Sequence, residues 1–213
     1  MASEVVRLSE QQLERATEAL THAFEDYPLM THAVPDKGRR LKAVGSLYGG
    51  ILRYCLNYGE AYTTAAIEGA AGWLPPERPF PSFWRMAWSG MLKIPFAFGR
   101  EGFGRLHAAD QVAEQLHRRH GQEAGKHWYL WAIGVDPAHQ GTGVARRIMR
   151  PVLARADQAG LSCYLETHKG TNVPIYQHLC FKVVSQAPVP GHPITIWAML
   201  RSPQIARATD AII

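Results

Sequence analysis

The stretch Ala138–Ala145 reads AHQGTGVA and runs straight into RRIMR. Gly141 and Gly143 stand one residue apart, ahead of a segment with helical spacing and behind the apolar run HWYLWAIGV. A strand, a glycine loop and a helix in that order bring several unbonded backbone N–H groups to one point. The helix dipole adds partial positive charge there, so the loop suits an anion and above all a phosphate. Glycine lets the backbone come close to such a ligand. Arg146 and Arg147 add charge, although one of them must face away. Three ligands compete for a loop of this kind. A Walker nucleotide loop requires Lys-Ser/Thr after its last glycine, and none follows Gly143. A dinucleotide loop requires a third small residue where Arg146 stands, but Glu166 is spaced to serve as its ribose-binding acid, which keeps that reading in play. The pattern Gln140-x-x-Gly143-x-Ala145 fits a third kind of phosphate loop.

The elements that must position this loop follow from local pattern. EVVRL reads as a first strand, and Ser9 with Gln12 as a capping box that opens a helix bearing Leu13, Ala16, Leu20 and Phe24 on one face. That helix should stop near Tyr27-Pro28. A second helix runs from about Arg39 to Tyr58, and the strands GEAYTT and AAIEGAAGWLPP follow. Residues 75–126 lack strand alternation and are punctuated by glycine and proline, which predicts two or three short helices. HWYLWAIGVDP is the clearest strand. After the glycine loop comes a helix to about Ala159, stopped by Gly160, with Pro151 expected to kink it. SCYLET is a strand, Asn172 caps the short helix VPIYQHL, and FKVVSQAP and HPITIWAML close the sheet. The order implies an α/β or α+β sandwich around one sheet rather than the regular alternation of a full dinucleotide fold.

Composition narrows the classes further. Hydrophobic residues make up 46% and charged residues 19% of 213, as in a globular domain with a real core. The net charge of +5, with 10 histidines counted neutral, favours anionic ligands and is too small and scattered to indicate nucleic acid. The N-terminus lacks the layout of a secretory leader, and no stretch approaches the ~18 uncharged apolar residues of a membrane span. Cys55, Cys163 and Cys180 form no ligand or disulfide pattern, so a reducing cytoplasm is expected. His107, His117, His120 and His127 flank the basic HRRH stretch; without a carboxylate or thiol at ligand spacing they read as a solvated helix face and no metal is expected. The final stretch, RSPQIARATDAII, is expected to be disordered.

IGVDPAHQGTGVARRIM followed by YLETHKGTNVPIYQHLCF resembles the GNAT acetyltransferase superfamily over roughly residues 128–184. LTHAFEDYPLMTHAV, GEAYTTAAIEGAAGWLPP and the helical segment look more loosely like the branch that contains puromycin N-acetyltransferase. The resemblance implies one GNAT domain over residues 1–213: an N-terminal part (1–76), a helical insertion (77–127), an acetyl-CoA-binding core (128–184) and C-terminal strands with a tail (185–213). It implies a mixed, mostly antiparallel sheet of about six to seven strands flanked by helices, with the insertion between the third and fourth strands. The implied activity is transfer of an acetyl group from acetyl-CoA, without metal, to a primary amine of a small aromatic or antibiotic-like molecule. A catalytically silent acyl-CoA sensor is the alternative. No nucleic acid or membrane partner is expected, and the chain would act as a monomer or homodimer.

By the same resemblance, Gln140, Gly141, Thr142, Gly143, Val144, Ala145 and Arg146 would hold the coenzyme A pyrophosphate. Ile133, Gly134 and Val135 would pair with the pantetheine arm, one backbone N–H from Ile133 or Gly134 facing the thioester oxygen. Thr167 and Asn172 would contact the cofactor. Tyr176 matches the general acid: a phenol with pKa about 10 stays protonated at neutral pH and can protonate a departing thiolate. The strand before the loop lacks the glutamate that many relatives carry, which leaves Glu166, His168, Glu25 and Asp26 as base candidates, with Glu166 first. Phe24, Asp26, Tyr27, Trp84 and Trp88 would line the acceptor pocket. Cys180 stands where relatives usually place a glycine and would cost on the order of 1 kcal/mol if left-handed.

Overall fold

The computed structural model describes residues 3–204, so positions 205–213 of the expected disordered tail lie outside the described residues. In chain order the elements are β1 (Val5–Arg7), α1 (Leu13–Phe24), α2 (Pro28–Ala33), α3 (Lys37–Tyr58), β2 (Glu60–Thr64), β3 (Gly69–Leu74), α4 (Phe83–Trp88), α5 (Ile94–Ala124), β4 (His127–Val135), α6 (Val144–Gln158), β5 (Ser162–Thr167), α7 (Val173–Gln177), β6 (Lys182–Pro188) and β7 (Thr195–Arg201). The strands form one seven-stranded sheet in the order β1-β2-β3-β4-β5-β7-β6. Every neighbouring pair is antiparallel except β4 and β5. This is the expected mixed sheet, with the helical insertion between β3 and β4.

Each face of the sheet buries its own apolar cluster. Leu20, Tyr48, Leu52, Phe98 and Tyr164 gather on the side of α1, α3 and α5. Trp73, Trp128, Ile148, Met149, Val152 and Phe181 gather on the side of α6 and α7. Removing these apolar side chains from water, at about 25 cal/mol per Å², is what clamps the helices to the sheet.

Local chemistry sets most element ends. The Ser9 N–H donates to Gln12 Oε1 at 3.0 Å, forming the expected capping box ahead of α1. Asp36 accepts from the Arg39 N–H at 2.8 Å and starts α3 two residues before its expected position. Tyr27-Pro28 does end α1, but Pro28 then opens α2, a helix that periodicity did not separate. Proline is at ease there because the first helical N–H has no partner to lose.

The insertion departs further from expectation. Instead of two or three short helices, α4 leads through a short turn into α5, 31 residues long and broken only at Gly99 (φ 70°, ψ 171°). Gly102 and Gly104 look like breakers in sequence. Gly102 instead lets α5 press on the Ala33 carbonyl, where an added Cβ would sit 2.7 Å from the oxygen. Packing of α5 along Ala109, Leu116 and His117 outweighs the weak propensity cost of those glycines.

Around the glycine loop, α6 runs as one helix through Pro151 and stops as expected at Gly160, which has φ 66°. The buried Arg201 guanidinium forks onto both carboxylate oxygens of Asp157, at 2.6 and 2.8 Å, and its Nε donates to the Leu179 carbonyl. One side chain therefore ties the end of α6, the chain after α7 and β7 together. Cys180 is left-handed, with φ 66°, which is the strained conformation its place after α7 requires.

Candidate active site

β4 and β5 pair only from His127/Ser162 to Leu130/Leu165, after which β4 continues to Val135 and β5 to Thr167 without each other. On its other edge β4 stays paired with β3 up to Gly69/Val135. The register between β3 and β4 jumps from Gly72/Ala132 to Trp73/Leu130, leaving Trp131 as the extra residue of a bulge. A bulge bends its strand and steepens the twist, and this one sits where β4 begins to leave β5. The outcome is a wedge-shaped opening in the middle of the sheet.

Backbone alternation decides what β4 shows to that opening. The Asp136 N–H donates to the Glu68 carbonyl at 2.9 Å, on the β3 side. Successive residues of a strand turn to opposite edges, so Gly134 also faces β3, while Ile133 and Val135 turn N–H and C=O to the wedge. Of the expected pair, Ile133 therefore presents its amide and Gly134 does not. Gly134 is a packing glycine: a Cβ there would lie 3.0 Å from Phe24 and 3.1 Å from Ala23.

At the end of β4 the glycine loop leads into α6, in the order the sequence implies. α6 begins at Val144 with Gly143 as its N-cap, and Gly141 and Gly143 have φ of 76° and 79°. An added Cβ at either glycine would meet only open space. The Gln140 side chain donates to the Val135 carbonyl at 3.0 Å, and the Thr142 hydroxyl to the His139 carbonyl at 2.7 Å. These bonds fold the loop over the strand end. The N–H groups of Val144, Ala145 and Arg146 occupy the first turn, where no helical acceptor exists. Arg147 turns away to Glu68, 3.5 Å from its carboxylate, and His139 lies 3.8 Å from the same group, while Arg146 stays exposed. The residues present thus fit a pyrophosphate: converging amides, room at the glycines and one uncommitted guanidinium.

The opposite wall comes from β5, α7 and the turn after α1. The Tyr27 hydroxyl meets Thr167 Oγ1 at 2.9 Å and accepts from the His168 N–H at 2.8 Å. Asn172 Nδ2 donates to the same Thr167 oxygen at 3.4 Å. Asn172 makes no side-chain cap for α7, contrary to expectation, because its amide is turned toward the wedge instead. Phe24 stacks on Tyr48, 4.1 Å between ring centres. Tyr176 is buried, with Tyr27 near enough to disfavour its ionisation.

A model of the acetyltransferase (GNAT) family matches residues 96–179, which include the bulged strand, the loop, α6, β5 and α7. Over these residues the chain is similar to the GNAT acetyltransferase family. It is an acetyl-CoA-dependent acetyltransferase. It is 25% identical over 183 residues to an uncharacterised N-acetyltransferase of Schizosaccharomyces pombe, an overlap covering 82% of this chain and 72% of that protein. A histone acetyltransferase HPA2-related acetyltransferase from Corynebacterium glutamicum shares the fold, with TM-score 0.62 and 17% identity over 97% of this chain and 99% of that one. Arylalkylamine N-acetyltransferase 2 from Aedes aegypti does so with TM-score 0.58 and 13% identity over 96% and 100% of the two chains.

In this site, environment separates the ionisable groups. Burial raises the Tyr176 phenol above its ordinary 10, with the nearby Tyr27 adding to the shift. Burial also raises the Glu166 carboxyl to about 8, against the opposing pull of the Tyr129 and Tyr164 hydroxyls, and its Oε1 has no hydrogen-bond partner. Glu166 follows the last β4/β5 pair, with its carboxyl among Tyr129 and Tyr164 on the α5 side of the sheet, while Tyr176 packs on the α6 side. The other base candidates fare differently. Burial pushes His168 down to about 4, Glu25 is held by Lys37 at 2.9 Å, and the exposed Asp26 lies 3.4 Å from Arg40.

Two expectations fail in this region. Trp84 and Trp88 are 72% and 81% exposed on α4, which packs on the far half of α3 near Tyr54 and Tyr58 rather than at the wedge. Asp26 is spent on Arg40, whose buried guanidinium also binds the Glu25, Val34 and Pro35 carbonyls and so fixes the turns flanking α2. Tyr48 was missed, although its place on the core face of α3 was readable. The histidines are also not a solvated face: His117, His120 and His127 are 3%, 6% and 2% exposed. His127 Nδ1 donates to the Gly125 carbonyl at 2.7 Å, which leaves its Nε2 to accept from His117 Nε2 at 2.8 Å.

Proposed function

We propose that this enzyme acetylates a small primary amine at the β4/β5 wedge, by direct attack of the amine on the thioester. The observation that carries the reading is the wedge itself: β4 runs on past its last pair with β5 into a glycine loop, and the buried Tyr176 phenol, kept protonated, stands beside Tyr27 on the opposite wall. Acetyl-CoA, when bound, supplies the activated acetyl group. The amides of Gly141 to Arg146 hold its pyrophosphate, and Val135, Thr167 and Asn172 hold its arm. The Ile133 N–H polarises the carbonyl. Glu166 takes the proton released as the amine nitrogen bonds to the carbonyl carbon, and Tyr176 gives one to the sulfur as the C–S bond breaks.

Phe24, Tyr27 and Tyr48 place aromatic surface beside the wedge, which suits an acceptor with an aromatic or other flat apolar body. The looser sequence likeness to the puromycin N-acetyltransferase branch and the shared fold with an arylalkylamine N-acetyltransferase point the same way. We take the protein to work in the cytoplasm, without metal or nucleic acid, as a single domain. The test is release of free thiol from acetyl-CoA across a panel of arylalkylamines, aminonucleosides and aliphatic amines. The reading predicts turnover with members that carry an aromatic body. Release with none of them, repeated with longer acyl-CoAs, would sink it.

A further inference from the structure

Among the described residues, eight large hydrophobic side chains are classed as exposed, and five of them fall between Phe83 and Phe96. Phe83, Trp84, Trp88, Leu92 and Phe96 are 61%, 72%, 81%, 58% and 88% exposed. Trp84 and Trp88 share one face of α4 through their i, i+4 spacing, Leu92 lies in the turn that follows and Phe96 in the first turn of α5. Phe83 and Trp84 meet edge to face, with ring centres 5.4 Å apart. Exposed apolar groups clustered in this way are rare on a surface that meets only water.

The charges among them are all basic. From residue 78 to residue 100 the chain carries Arg78, Arg85, Lys93 and Arg100 and no acid. Arg78, Lys93 and Arg100 are exposed, and Arg85 lies half-buried over the Tyr58 ring. Exposed Glu77 precedes Arg78 and Glu101 follows Arg100, while Glu10 and Glu14 lie across a groove that Lys93 borders, with Glu10 3.8 Å from Arg53. Glu101, the next acid along the chain, is 3.6 Å from Arg105.

We propose that the α4–α5 corner is a peripheral binding surface for an anionic lipid bilayer. Tryptophan and phenylalanine insert at the headgroup level, and the lysine and arginines meet lipid phosphates and carboxylates. The charge pattern favours this occupant over a second copy of the chain, since two copies would set cation against cation. From sequence no membrane partner was expected, and the proposal departs from that; no helix among the described residues is long and apolar enough to cross a bilayer, so the contact is to the membrane surface. The proposal is independent of the acetyl-transfer reading because it shares no residue with the wedge.

The test is flotation of the full chain with vesicles of phosphatidylcholine alone or mixed with phosphatidylserine. The wild type should bind the anionic vesicles at least about tenfold better, and the difference should collapse between about 0.05 M and 0.5 M salt. The double variant Trp88→Ser/Phe96→Ser should lose about tenfold or more of that binding. Lys93→Glu/Arg100→Glu should erase the preference for phosphatidylserine while leaving the thermal midpoint near wild type. Equal, negligible binding to both vesicle types overturns the proposal. So does a dimer in vesicle-free solution that Trp88→Ser/Phe96→Ser converts to monomer, which would assign the surface to a second copy.

Discussion

At the scale of single residues, the proposed reaction is divided between groups whose environments push them apart. Tyr176 is buried against Phe181 and near Tyr27, and its proton is held more tightly than in water. It therefore stays protonated at neutral pH, which suits the proposed donation to the departing thiolate and not the role of a base. Tyr176→Phe removes the hydroxyl and keeps the packing. We expect turnover to fall by about 10²-fold or more under chemistry-limited conditions while the KM for acetyl-CoA changes little. Equal losses in both parameters would reassign Tyr176 to cofactor holding. Glu166 titrates in the opposite sense: its carboxyl, raised to about 8, is mostly protonated at pH 7 and becomes a competent base only as pH rises. In the wild type kcat/KM should climb with pH to a bend near 8, and Glu166→Gln should lower the rate and abolish that bend. A bend that survives in the variant belongs to another group.

At the scale of elements, the site exists because particular segments are held out of regular pairing. The Trp131 bulge and the early end of β4/β5 pairing open the wedge, and the Arg201–Asp157 fork holds α6 and the chain after α7 at fixed spacing behind it. Sequence pattern reached the parts that are set locally. The capping box at Ser9, the stop at Gly160, the left-handed Cys180 and the glycine loop depend on a few neighbouring residues. The bulge was not legible, because HWYLWAIGV is apolar on both faces and alternation cannot register one extra residue. Nor was the burial of His117 and His127, which turns on α5 lying along the sheet as one long helix. That burial has its own consequence. His117 is pushed down to about 3 and His127 is lowered too, each chiefly by burial. The folded protein thus keeps His117 neutral where the unfolded chain, with a pKa near 6.5, binds a proton. Stability from this residue is fully present above about pH 6.5 and drains away as pH falls toward 3. Urea denaturation across that range should show the loss in the wild type. In His117→Gln the slope should flatten, even if the variant is less stable at pH 7.

At the scale of the whole molecule, the sheet is two units joined by a short parallel seam: β1-β2-β3-β4 on one side and β5-β7-β6 on the other. Strand order of this kind is a non-local property, and nothing in the sequence placed β7 between β5 and β6. The seam ends at Leu130/Leu165, so the β4 amides beyond it and the glycine loop belong to one unit, while Thr167, Asn172 and Tyr176 belong to the other. A ligand lying in the wedge and reaching the loop touches both units and substitutes for the pairing that β4 and β5 give up. Binding to the folded state alone stabilises it by about 2.7 kcal/mol at a hundredfold excess over Kd. For a domain of about this size that amounts to roughly 5–10 °C in melting temperature. Acetyl-CoA and coenzyme A should both produce such a shift, and ATP and NAD should not, since they offer no pantetheine arm to span the opening. Gly143→Asp sets a carboxylate against the pyrophosphate position and should abolish the shift. Tyr176→Phe should retain it, separating the clasp from the chemistry. Stabilisation by ATP or NAD in place of coenzyme A would mean that the loop is a nucleotide site, and that the two halves are not bridged in the way the wedge implies.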